Sequence, residues 1–134
     1  MATVRIETTI AAAPEDVWDA LRDFGALHTR LAPGFVVDTK LEGSDRLVTF
    51  FTGTTLRERL ISRDDEARRL AWTIVDGPYE HHNGVAQVLE EGGTTRFVWT
   101  SDLLPDAAAQ PTRTMMQQGS EAIRRALESA RSAA

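Results

Sequence analysis

The sequence has 134 residues, a length at which one hydrophobic core is expected and folding buries roughly two-thirds of the surface that the unfolded chain exposes. Hydrophobic residues at 42% and charged residues at 26% exclude a disordered or membrane composition, and a net charge of -5 with interleaved acids and bases leaves no footprint for a phosphate backbone. The absence of cysteine excludes disulfides, thiol nucleophiles and thiolate metal sites.

Val4, Ile6 and Ile10 alternate with Arg5 and Glu7, which is the period of a half-buried strand. Pro14, Glu15 and Asp16 then suit the first turn of a helix, whose buried stripe is Val17, Trp18 and Leu21. Gly25 is expected to close that helix in a left-handed conformation, and a second short helix is predicted from Ala26 to Leu31, before Pro33-Gly34.

Turn chemistry follows about every 10 to 15 residues, at Gly43, Gly53, Asp64-Asp65, Gly77-Pro78 and Gly92-Gly93. The segments between are rich in valine, threonine and aromatic residues, and the spacing leaves no room for crossover helices. Six further antiparallel strands are therefore predicted at about 35-42, 45-52, 55-63, 68-76, 79-90 and 94-103. A long alanine-rich helix ends the chain, with Asp106 as its expected N-cap. Met115, Gly119, Ala122, Ile123, Ala126, Leu127 and Ala130 recur on one of its sides, and Arg113, Arg124, Glu128 and Arg131 on the other.

The reading is one α+β domain over 1-134, a seven-stranded curved antiparallel sheet around a long C-terminal helix, with two short helices between the first two strands. Helix positions Gly119, Ala122 and Ala126 offer little volume, and a glycine inside a helix costs about 1 kcal/mol against alanine. Either the helix lies close against the sheet or a hollow remains between them.

Several strings resemble the START-related, birch-pollen-allergen-like (SRPBCC) superfamily, and within it the polyketide cyclase/dehydrase-like group. They are APEDVWDAL at the first helix, RERLISRDDEARRLAWTIVDGP across two central strands and TTRFVWTSDLLP before the last helix. The resemblance spans nearly the full chain. It implies a helix-grip fold whose cavity, in relatives, takes lipids, hormones, aromatic polyketides and other apolar molecules. Many relatives also carry a tryptophan shortly before the proline that follows the second helix, and Arg30-Leu31-Ala32-Pro33 lacks it.

Alternation carries Glu58 inward with Leu56 and Leu60. There it is either a general acid or base or a ligand anchor, or else a carboxylate paired with a neighbouring arginine or reaching the pocket rim. His81 and His82 are adjacent on a strand, point to opposite faces and cannot jointly hold a metal. His82 shares the inward phase of Gly84 and Ala86, as a proton donor or acceptor or as a satisfied core histidine. Tyr79 and Asn83 flank it as candidate orienting groups. Trp18, Trp72, Phe97 and Trp99 are expected inside, lining a pocket or filling the core, with Met115 and Gly119 facing the pocket from the last helix. His28 is expected at the surface, and the basic residues at 57, 59, 63, 68 and 69 on a solvated sheet edge.

The function expected from these residues is binding of a small apolar or aromatic molecule. The alternative is an enzyme of the polyketide cyclase/dehydratase type that transfers protons through Glu58 and His82. Motifs for serine hydrolase, nucleotide and zinc-protease chemistry are absent. No cofactor, metal, nucleic acid or membrane span is expected. The sequence leaves monomer and homodimer open, and the lack of a signal-like leader makes a cytoplasmic location the expectation.

Overall fold

A computed structural model describes residues 1–133, with side chains as far as Ala130, so the expected placement of the Arg131 side chain lies outside the described residues. The alternation at the start gives β1 (Ala2–Ile10), with Val4 and Ile10 buried and Arg5 and Glu7 outward. Helix α1 (Pro14–Arg22) opens on proline, sets Glu15 and Asp16 at the positive end of its dipole, and buries Val17, Trp18 and Leu21. The second short helix is a five-residue π-helical segment, Leu27–Leu31.

The remaining strands are β2 (Val36–Glu42), β3 (Asp45–Phe50), β4 (Thr55–Asp64), β5 (Arg69–Ile74), β6 (His81–Glu91) and β7 (Thr94–Leu104). They form one antiparallel sheet with β1, in the order β1-β7-β6-β5-β4-β3-β2. The last strand thus returns to pair with the first, placing Val4 opposite Ser101 and Ile6 opposite Trp99. A 25-residue helix, α2 (Ala109–Ala133), completes the helix-grip fold, burying Met116, Ala122, Ile123 and Leu127. No helix among the described residues is long and apolar enough to cross a membrane.

Some local expectations are corrected. Gly25 is not left-handed: α1 ends at Asp23, and the need for glycine comes from Leu41, whose Cδ1 would lie 2.9 Å from a Cβ at position 25. Asp106 does not cap α2 with its side chain. It begins a three-residue 3-10 turn, Asp106–Ala108, and meets the N-terminal amine of Met1 at 3.3 Å. The basic residues of β4 are not on a sheet edge, because β3 and β5 flank that strand on both sides. Instead, Arg57 and Arg59 both pair with Asp45, and Arg57 also with Glu42. Strand β6 begins at His81, so Tyr79, which the strand predicted at 79-90 included, lies in the connection before it.

Candidate functional site

Between the concave face of the sheet and α2 lies a predominantly apolar cavity of about 310 Å³. Inward-facing rings of β5 and β7, namely Trp72, Phe97 and Trp99, form one wall, with Trp72 and Trp99 centred 6.3 Å apart. Helix α2 supplies Met115, Met116, Gly119 and Ile123 opposite them. At Gly119 the helix lies against its neighbours: a Cβ there would stand 3.0 Å from both Phe35 Cε2 and Trp99 Cζ3. Close approach and hollow therefore coexist, because the helix is pinned at its glycine while large rings prop the sheet away beside it. Leu27, Leu31 and Phe35 extend the lining toward the π-helical segment, and Phe35 meets Phe50 edge-on at 5.5 Å.

Besides Thr52 and Thr54, whose hydroxyls lie 3.4 Å apart, four sets of polar groups interrupt this lining. The first is a buried ion pair between β3 and β4. Arg46 donates from Nε (2.9 Å) and Nη2 (2.8 Å) to Glu58 Oε1, and from Nη1 to the Phe24 carbonyl at 3.2 Å. Its guanidinium carbon also sits 3.9 Å from the centre of the Phe24 ring. Burial lowers the Arg46 pKa from its usual value, and the Glu58 charge pulls it back. Among the described residues, Glu58 Oε2 accepts no hydrogen bond.

The second polar group is His82. Its Nδ1 accepts the Ile74 backbone N–H at 3.1 Å, which assigns the proton of the neutral ring to Nε2. Burial, helped by the neighbouring His81 and opposed by Asp102, depresses its pKa to about 4. At neutral pH His82 is therefore an uncharged imidazole with one N–H to donate, and Nε2 has no partner among the described residues. Such a group donates well and is a poor base, since its lone pair is already engaged.

The third set is Tyr79 and Thr112, whose hydroxyls share a 2.6 Å bond. Burial raises the Tyr79 pKa, with that bond opposing and the Glu58 charge adding to it. Ser101, on β7, is the fourth. No three His, Asp or Glu side chains among the described residues are grouped to hold a metal ion.

The structure brings Glu58, Trp72, Tyr79, His82, Phe97, Trp99, Met115 and Gly119 onto this one cavity. Of the arrangements open for Glu58, pairing with a neighbouring arginine is the one found. Two expectations are corrected. Asn83 lies on the opposite face of β6, since adjacent strand residues alternate and His82 and Gly84 take the inward positions. Trp18 is buried under α1, away from the lining, with Nε1 donating to Asp65 at 3.0 Å. His28 is half-buried with no partner for Nδ1, so it is not the plain surface residue expected. Sequence reasoning missed Arg46 and Thr112. The first shares the phase of Val48 and Phe50 on β3, and the second precedes Met116 by one helical turn.

A family model described as polyketide cyclase / dehydrase and lipid transport matches residues 1–134. The protein XoxI of Bacillus cereus is 25% identical, with a TM-score of 0.84, the match covering 95% of this chain and 96% of that one. A Thermobifida fusca protein is 31% identical, with a TM-score of 0.73 and coverage of 92% and 88%. A Thermus thermophilus protein, TTHA0849, is 25% identical, with a TM-score of 0.69 and coverage of 96% and 95%. No curated protein matches the chain.

Proposed function

We propose, from the premise that this chain belongs to the polyketide cyclase/dehydrase and lipid transport family, that its cavity binds a small apolar or aromatic molecule carrying a hydrogen-bond acceptor. The observation that carries this reading is an apolar hollow with most of its polar groups already bonded to the protein. Arg46 is held by Glu58, Tyr79 by Thr112 and the Nδ1 of His82 by Ile74. A ligand therefore displaces no internal partner. It gains affinity from contact with Trp72, Phe97 and Trp99, and orientation from a carbonyl or ether oxygen placed against the His82 Nε2 proton.

A thermal-shift panel of fatty acids, flavonoids and polyketide-like aromatics tests it. A ligand at a hundred times its Kd stabilises the fold by about 2.7 kcal/mol, and a panel without any shift would refute binding. His82→Phe removes the donor and should weaken acceptor-bearing ligands about tenfold while sparing their hydrocarbon analogues.

One observation supports a second reading, turnover. Glu58 Oε2 is free to accept a proton at the cavity wall, while the His82 N–H polarises a substrate carbonyl. In that case Glu58→Gln would abolish conversion of a cyclisable or dehydratable substrate yet preserve its binding. Equal turnover by Glu58→Gln and the parent chain would exclude Glu58 as the base.

A further inference from the structure

We infer that the open edge of β2 pairs with β2 of a second copy of the chain, antiparallel and centred on Thr39. Strand β2 ends the sheet and is bonded only to β3. The two join through the two-residue turn Gly43–Ser44, where Gly43 has φ 61 and Glu42 lies opposite Asp45. In such a hairpin the pair flanking the turn exchanges both of its backbone bonds, and bonded and non-bonded pairs then alternate. Glu42, Lys40 and Asp38 accordingly turn their N–H and C=O groups to β3, and Leu41 and Thr39 turn theirs to the open edge. Nothing else among the described residues bonds the Thr39 or Leu41 backbone.

The side chains along this edge fit a copy of themselves. A twofold axis at Thr39 sets Thr39 opposite itself, Asp38 opposite Lys40 twice and Val37 opposite Leu41 twice, so the pairs flanking the axis are opposite in charge or jointly apolar. In the single chain these side chains stay largely open to solvent, although Leu41 also rests on Gly25. Val37 is 54% exposed and Leu41 55%, and neither Asp38 nor Lys40 has an ion pair among the described residues. Their neighbours Glu42, Asp45, Arg57 and Arg59 are all paired.

The other edge, β1, is a weaker template. Its Arg5 and Glu7 are bonded to each other, Glu7 also meets Arg96, and no large apolar side chain from Ala2 to Ile10 is exposed. The register shift between Val36 and Asp38 ends the regular ladder of β2 there. The contact is therefore short, and the dimer weak and concentration-dependent.

Sedimentation velocity of the full chain from micromolar to millimolar concentration tests this. The parent chain should shift from monomer to dimer. Asp38→Lys and Lys40→Asp should each raise the dissociation constant about tenfold, since each opposes like charges at two places. An equimolar mixture of the two variants, or the double exchange in one chain, should restore association. Thr39→Pro deletes an N–H that faces outward, so it should fold with an unchanged Tm and stay monomeric. A parent chain that is monomeric at millimolar concentration, or a dimer indifferent to the single reversals, overturns the proposal. A Thr39→Pro chain that failed to fold would contradict the outward N–H and overturn the register.

Discussion

Replacing Glu58 by leucine is expected to destabilise the fold by about 3–5 kcal/mol, because it strands a buried guanidinium. Arg46 is 4% exposed and Glu58 6%, so neither can turn to water without opening the sheet. The substitution deletes two charge-assisted bonds to Arg46, of 2.9 and 2.8 Å, and leaves it the Phe24 carbonyl at 3.2 Å as its protein acceptor. Against a total stability of about 5–15 kcal/mol, such a loss should lower the Tm by about 11–18 °C. Removing both charges together, as Arg46→Met with Glu58→Leu, eliminates the stranded ion and should recover most of that stability. Urea denaturation of the two single variants and the double variant yields the coupling energy directly. The reasoning is refuted if Glu58→Leu costs less than about 1 kcal/mol, or if the double variant is no more stable than either single.

His82 makes stability depend on pH. Its folded value of about 4 lies below the ordinary 6.5, so the unfolded chain takes up the proton first. The contribution is complete above pH 6.5 and drains as pH falls toward 4, by up to about 3 kcal/mol; urea midpoints across that range should show it, and His82→Gln should flatten it. Asp45 acts at lower pH: Arg59 first, then Arg57, hold it at about 2, so its contribution is present above 3.8 and lost as pH falls toward 2. Asp45→Asn should remove that acid sensitivity, read as urea midpoints below pH 5. Gly84→Ala would put a methyl 2.8 Å from Trp72 Cε2 and 3.1 Å from His82 Cε1. It should cost about 1–3 kcal/mol in urea denaturation and shift Trp72 fluorescence, since the indole must move.

The strand periodicity and turn chemistry carried the fold, because a single bent sheet repeats the same local pattern along the chain and each Gly or Asp turn falls between apolar runs. The cavity was legible where that pattern continued. Glu58 and His82 were placed inside by phase alone. Arg46 obeys the same phase, with Val48 and Phe50 inward beside it, yet its charge reads as surface until its partner on β4 is known. Asn83 falls outside the cavity because the same alternation that sets His82 and Gly84 inward turns it to the opposite face. Trp18 shows a different limit: a helical stripe predicts burial but not what the buried ring will touch, and here that is set by Asp65 of the β4–β5 turn. Tyr79 reaches the site from a turn, whose path no periodicity encodes. The volume of the hollow depends on side chains summed over most of the strands and both helices, so composition at Gly119 alone left both outcomes open.

The distribution of hydrogen bonds around the cavity bears on what it can select. An unpaired charge or hydroxyl at its wall would demand water or one particular ligand group, since unsatisfied buried polar atoms are costly. Here the strongest charges neutralise each other across β3 and β4, and the one phenol is bonded to α2. What remains for a ligand is the His82 Nε2 proton, the second oxygen of Glu58 and the Ser101 hydroxyl, on a wall otherwise made largely of rings, methionines and aliphatic groups. Discrimination among ligands of similar shape is then limited to about two or three hydrogen bonds, roughly a tenfold preference each, while size and aromatic surface do the coarser sorting. Such a site suits a set of related apolar molecules better than a single one, and a change to Trp72 or Trp99 should alter that set more than a change to His82.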